Sequence, residues 1–388
     1  MTKKSTLLLI FAIFQAMCGH AISINYLAQG TDLIARKDWD DAIMSLSIYI
    51  AQHPGEARPY ILRGDAEYEL KKWDPAIADL TQAIKLQPTN GSNGAVYYCR
   101  GFAKSMIHDG NGALADFNKS IELNPYYAPA YRQRGWVEQS KGKPSLAMAD
   151  LNKAINLAPF DGESYLYRGY VKAYQNDLSG AIADITKDIE LNSADIGAYV
   201  ARSNLRRRTG DIDGAISDST EIIGRTHGPA IGYDDLGCSE EAKGDLAAAL
   251  ADFNKSIAIY PKAAYSYSYR GWCEFLQGNF DAATNDSARA LQLDSTNMVA
   301  YTVRGWALYG KGDVSDALRD CKKAAGFYKN DSGDWNCAGN EGLIYFIHSK
   351  YKKAIASWER AIQFDASVKR QTQPWIDRAR AKLGSSPS

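Results

Sequence analysis

Residues 128–161 read APAYRQRGWVEQSKGKPSLAMADLNKAINLAPFD, and the rest of the chain repeats their spacing. Helical periodicity runs from Ala130 to about Lys141. Gly142 stops it, Pro144 and Ser145 start a second helix, and Pro159 ends that one after Leu157. Two helices of this length joined by so short a turn lie antiparallel. Gly135, Ala147 and Ala154 then fall where a side chain larger than a methyl would hold the helices apart, while Tyr131, Leu151 and Ile155 fill the remaining space.

The consensus is Tyr-x-x-Arg-Gly, then Ala twelve residues after the Gly, then Asp. The marker Gly stands at Gly30, Gly64, Gly101, Gly135, Gly169, Gly237, Gly271, Gly305 and Gly342, with Ser203 substituting once. Each step is 34 residues apart from insertions at Gly91–Asn93 and Ser332–Asp334. Ten units therefore tile the chain: 23–56, 57–90, 94–127, 128–161, 162–195, 196–229, 230–263, 264–297, 298–331 and 335–368. In the sixth, Ser203 and the run Gly224–Pro229 break the pattern, so any hinge is expected there. After the tenth, Pro374, Trp375, Ile376, Ala379 and Leu383 recur at helical spacing, which predicts a capping helix within 369–388 and a disordered tail over Gly384–Ser388.

In period and small/large pattern the chain resembles the tetratricopeptide repeat (TPR) family. The resemblance implies an all-α fold, a right-handed α-α superhelix of stacked antiparallel helix pairs spanning 22–368. One departure from the family's usual pattern is consistent. An Arg replaces the aliphatic residue before the marker at Arg63, Arg100, Arg134, Arg168, Arg202, Arg270 and Arg304. An Asp recurs at Asp79, Asp116, Asp150, Asp184, Asp218, Asp252, Asp286 and Asp320. Antiparallel helices bring these positions together, which predicts a ladder of Arg/Asp pairs within or between repeats; a structural ladder explains such regularity better than an ion-binding stripe.

The first 21 residues stand apart. Lys3 and Lys4 precede the apolar run Leu7–Phe14, and Gly19-His20-Ala21 offers small residues for cleavage, the pattern of a secretory signal peptide. Export to the periplasm or the medium is expected, and membrane contact only if this segment stays as an uncleaved anchor. The full chain has 45 basic and 45 acidic residues. Without Lys3 and Lys4 the balance is 43 against 45, which argues against nucleic acid as a partner. Cys99, Cys238, Cys273, Cys321 and Cys337 are too few and irregular for a disulfide scaffold and read as small buried residues; Cys321 and Cys337 form one conceivable bridge.

Nothing in the pattern is catalytic, and no cofactor or metal is expected. His53, His108, His227 and His348 lie in different repeats without ligand spacing, and no phosphate-cradling GxxxxGK[ST] loop is present. Glycosylation sequons at Asn118, Asn254 and Asn285 fall inside second helices; those at Asn90 and Asn330 adjoin the insertions.

The resemblance further implies that first helices line a concave groove, with the residue after the marker facing it. That position holds Trp136, Tyr170, Trp272 and Trp306 as anchors and Phe102 beside them; Tyr98 and Tyr174 join the first cluster, and Tyr265, Phe275 and Tyr309 the second. Polar repeats six and seven, with Asn204, Arg207, Arg208, Asp234 and Glu241, separate the two. These rings either pack between successive first helices or form a binding face. The Lys, Arg and Asn clamp of the family's chaperone-binding members is missing from the matching positions of repeats one to three. Two functions follow: an exported non-catalytic scaffold that binds a peptide or partner protein, or a glycan-binding solenoid of an envelope polysaccharide system. Asp65, Gln139 and Asn204 are a thin supply of sugar-binding polar groups.

Overall fold

The computed structural model describes residues 25–88, 93–225, 230–326, 335–364 and 368–384. Gly142 turns left-handed at φ 71°, as do Gly210, Gly244, Gly278 and Gly312 at equivalent places. Lys37, Lys71, His108, Asn176 and Ser349 accept the same conformation at φ 57–64°. This turn ends each first helix and starts each second one, because a left-handed residue closes the last helical carbonyls. Asp109, Asp177, Asp211 and Asp245 then cap second helices through backbone N–H groups of Gly112, Gly180, Gly214 and Ala248 at 2.9–3.0 Å.

The chain divides into two compact units, Met1–Gln175 and Asn176–Ser388. The described part of the first holds α1 Tyr26–Ala35, α2 Trp39–Gln52, α3 Ala57–Glu69, α4 Trp73–Leu86, α5 Asn93–Met106, α6 Gly110–Leu123, α7 Ala128–Ser140, α8 Pro144–Leu157 and α9 Gly162–Tyr174. The second holds α10 Leu178–Leu191, α11 Ile196–Thr209, α12 Ile212–Arg225, α13 Ala230–Lys243, α14 Leu246–Ile259, α15 Ala264–Leu276, α16 Phe280–Leu293, α17 Met298–Lys311, α18 Val314–Gly326, α19 Trp335–Ile347, α20 Tyr351–Phe364 and α21 Lys369–Gly384. Within each unit every helix packs on its sequence neighbour, and first helices also touch the next first helix, as α5 does α7 and α15 does α17. The division between the units falls after Gln175; residues 226–229 of the expected hinge lie outside the described residues. So do the leader, residues 385–388 of the tail, the sequons at Asn90 and Asn330, and both insertions except for the start of α5.

Small residues set the distance within a pair. Ala42, Ala76, Ala113, Ala147, Ala249, Ala283 and Ala317 are fully buried. A methyl at Gly135 would meet the Ala147 carbonyl at 3.2 Å, and one at Gly305 would meet Cys321 Sγ at 2.8 Å. Beside these contacts lie Leu46, Leu80, Phe117, Leu151 and Phe253, all fully buried.

The ladder is real, and it does more than pair charges. Arg63, Arg100, Arg134, Arg202, Arg270 and Arg304 each donate twice to the Asp sixteen residues on, at 2.5–3.1 Å. The remaining guanidinium nitrogen reaches back to the preceding repeat: Arg63 to Ser47, Arg100 to Thr81, Arg134 to Asn118, Arg202 to Thr186 and Arg270 to Asn254, at 2.7–3.1 Å. Each plane lies against the Tyr of its own Tyr-x-x-Arg, 5.4–5.9 Å from the ring centre. The Tyr hydroxyl in turn donates to a carbonyl of the preceding loop, as Tyr131 does to Pro125 at 3.3 Å. Asn118 and Asn254 are therefore structural acceptors, which accounts for two of the sequons.

Repeat two carries a second acid at this junction. Glu67 is buried beside Asp79, and its Oε2 has no hydrogen-bonding partner among the described residues. Burial, and then the charge of Asp79, push its carboxyl from 4.5 to about 7 against the opposing pull of Arg63 and Lys72. Where Glu67 stands, repeat three has Lys104, 2.8 Å from Asp116, and repeat six Arg206, 2.8 Å from Asp218.

Two outcomes follow. Arg134→Leu leaves the buried Asp150 carboxylate without its bidentate partner and lowers unfolding stability by about 3 kcal/mol, while Arg134→Leu/Asp150→Leu loses clearly less; urea midpoints of the two variants measure the difference. The folded state holds a proton on Glu67 that the unfolded chain releases, so stability falls as pH rises from about 4.5 to about 7 and then levels off. Glu67→Gln removes that slope and is more stable at pH 8 by about 1–3 kcal/mol; equal Tm shifts between pH 5 and 8 for both proteins would refute the assignment.

Candidate functional site: two aromatic faces

In the first unit α5, α7 and α9 place their rings on neighbouring first helices. Phe102 is half-buried against Tyr68 at 5.3 Å and Trp73 at 6.0 Å. Tyr98, also half-buried, meets Tyr127 edge-on at 5.3 Å. Trp136 is 40% exposed and rests on Tyr167 at 4.9 Å and Tyr170 at 6.1 Å. Tyr174, one turn beyond Tyr170, is 67% exposed. Trp136, Tyr170 and Tyr174 therefore form an open ledge, whereas Tyr98 and Phe102 mostly fill space between helices.

One charged cluster borders this ledge. Arg132, one turn before Trp136, is held by Asp161 at 2.7 Å and Glu163 at 2.8 Å. Asp65, on the equivalent face of α3, has its carboxyl pushed up to about 6 by burial and by Glu69. Burial likewise pushes the Cys99 thiol up to about 12, so it stays protonated and is a poor nucleophile near neutral pH.

The second cluster is closed around its two tryptophans, while Tyr265 is 44% exposed. Trp272 is 5% and Trp306 2% exposed, so as anchors these two would have no open face. Trp306 donates from Nε1 to Asn340 Oδ1 at 3.2 Å and meets Trp375 of α21 edge-on at 5.4 Å. Trp375 also lies 5.7 Å from Tyr309 and 6.1 Å from Trp358. Phe275 and Tyr309 remain half-exposed. Tyr265 stacks on Tyr269 at 4.3 Å and turns its hydroxyl to Cys238 Sγ at 3.2 Å; burial of that hydroxyl raises its pKa.

Of the polar residues expected between the clusters, Asn204 is exposed and Arg207 is tied up. Arg207 is buried, 2.8 Å from Asp235 Oδ1, and donates to Ser203 and Ser239 hydroxyls at 3.0 Å. Asp235 Oδ2 accepts from Ser219 at 2.7 Å. The sequence pattern missed Tyr68 and Tyr167, and gave Trp375 as part of the capping helix without placing it in the second cluster. Tyr167 had a signal, since it stands two residues before a marker Gly, as Asp235 does.

The described cysteines Cys99, Cys238, Cys273 and Cys321 are free thiols; the Cys337 side chain of the conceivable bridge lies outside the described residues. Among the described residues no cluster of His, Cys, Asp or Glu could hold a metal ion, and no helix is long and apolar enough to cross a membrane.

A family model for the tetratricopeptide repeat matches residues 27–91 and 235–298. Small glutamine-rich tetratricopeptide repeat-containing protein 2 of Saccharomyces cerevisiae is 30% identical over 95 residues, 24% of this chain; the match spans only 26% of that relative's length. The crystal structure of a tetratricopeptide repeat protein from Parabacteroides merdae aligns over 65% of this chain and 98% of its own, at 19% identity and a TM-score of 0.54. A monomeric IFIT1 mutant solved with m7Gppp-AAAA aligns over 78% of this chain and 71% of its own, at 12% identity and a TM-score of 0.51. At these identities the solved structures speak for the fold alone. The chain carries tetratricopeptide repeats, and each of its two units has their fold of stacked antiparallel helix pairs.

Proposed function

We propose that this chain is an exported, non-catalytic scaffold that holds a peptide or partner protein against the aromatic ledge of its first unit. Tetratricopeptide-repeat proteins are generally scaffolds for protein or peptide partners. The observation that carries the reading is the exposure of Trp136 and Tyr174 on a support of Tyr167 and Tyr170. A tryptophan already fixed by its neighbours loses little side-chain freedom on binding, and large rigid rings commonly dominate interface energies. Burial keeps the neighbouring Cys99 thiol protonated, and what the ledge offers a partner is aromatic contact area. Export rests on the Lys3–Lys4, Leu7–Phe14 and Gly19–Ala21 pattern.

Wild type and Trp136→Ala/Tyr174→Ala, matched by circular dichroism, serve as bait in the envelope fraction. A partner identified by mass spectrometry is then titrated in pure form, with an expected affinity loss of at least about 30-fold in the variant. Equal affinities would move the binding face elsewhere. Edman sequencing of the mature protein is expected to start just after Ala21, and a native chain starting at Met1 would contradict cleavage.

A further inference from the structure

The second unit contains a cleft of about 660 Å³ that none of the preceding roles uses. Its size is that of a small-molecule or side-chain site, about 300–1,000 Å³. Four helices supply most of its wall. The end of α15 supplies Phe275, the start of α16 Phe280, and the end of α17 Tyr309, while α21 closes the fourth side with Pro374, Trp375 and Arg378. Gly310 lets the Phe280 ring come in close, since a methyl there would meet its Cζ at 2.7 Å. Trp375 is anchored from behind by Trp306 and Trp358, so the wall is rigid.

The charge at the mouth is unbalanced. Arg378 lies over the Trp375 ring, its Cζ 5.0 Å from the centre. A guanidinium lying over a ring can still direct N–H groups outward in its own plane. Among the described residues Arg378 has no carboxylate partner, and no acidic residue lines the cleft. Asp377 and Glu359 are engaged elsewhere. Asp377 accepts from Gln373 at 2.9 Å and faces Arg380 at 3.7 Å, and Glu359 takes Arg380 at 3.0 Å.

We propose that this cleft binds a ligand with an apolar body and a carboxylate end. The body lies among Phe275, Phe280, Tyr309 and Trp375, and the carboxylate takes the free edge of Arg378. One planar guanidinium matches one carboxylate through two parallel N–H···O bonds. A dianionic phosphate would call for more positive charge than the cleft holds. The carboxylate comes either from a polypeptide C-terminus with an apolar last residue or from a free long-chain acid. The site stands on the second unit alone, so its failure leaves the first unit's ledge untouched.

Tryptophan fluorescence and calorimetry of the purified full chain test it with three probes: N-acetyl-Gly-Leu-Phe with a free carboxylate, its C-terminal amide, and dodecanoate. At least one acid binds wild type, and binding falls about tenfold or more in Arg378→Gln. Arg380→Gln, whose partners lie outside the cleft, leaves it unchanged. If the peptide acid binds and dodecanoate does not, with the amide weak, the ligand is a polypeptide C-terminus; the reverse preference assigns a free acid. Absence of binding by both acids overturns the proposal, as does binding that survives Arg378→Gln in a variant with wild-type circular dichroism.

Discussion

A guanidinium held between a tyrosine ring and a carboxylate is the contact on which the stacking depends. In Arg134 one side chain bonds three parts of the structure: Asp150 on the second helix of its own pair, Asn118 on the second helix before, and the Tyr131 ring on its own helix. Because Tyr131 also bonds the preceding loop at Pro125, slipping a helix by one turn would break all of these at once. The bidentate geometry needs Arg; a lysine could not span the three partners. Desolvating the charges is costly, and a buried pair is weak evidence of net stability by itself. Its value here is register. An aliphatic residue before the marker could fill the same volume without fixing which repeat face meets which.

The same logic explains where the pattern breaks. Repeat seven has Leu236 where the Arg should stand, and repeat six has Ser203 for the marker Gly and Ser219 for the buried Leu or Phe. Read singly these look like faults. Together they build another clip, with Arg207 of α11 reaching forward to Asp235 of α13 and three hydroxyls satisfying what remains. Ser203 is tolerated because its hydroxyl accepts from Arg207 and lies 3.4 Å from the Ala215 carbonyl. A buried arginine left without these partners would be too costly to keep, so the residues of this clip are interdependent.

Periodicity made the helices, their turns and the Arg/Asp contact legible, since each is repeated and each repeat has one physical cause. Exposure of the aromatic residues was not legible. Trp136 and Trp306 occupy the same place in their repeats, yet the first is 40% and the second 2% exposed. Trp306 is covered by Trp375, which lies on α21 outside the repeat; spacing placed Trp375 on a capping helix but not against Trp306. Arg207 was misread for a similar reason: its burial depends on Asp235, and the pairing replaces the consensus Arg.

The position two residues before the marker carries the difference between repeats. It faces the preceding first helix, and unlike the Tyr, Arg, Gly and Asp positions it varies. Tyr167 there gives Trp136 a flat support and leaves one face of the indole to solvent. Asn340 instead takes the Trp306 N–H and donates to Thr302 at 2.7 Å, which draws that indole inward. Asp235 fixes Arg207. The clip recurs from repeat to repeat, and this variable side chain adds a different contact to the ring or guanidinium of the preceding first helix each time. The exposure of Trp136 thus rests on a neighbouring side chain that the repeat consensus leaves free to vary.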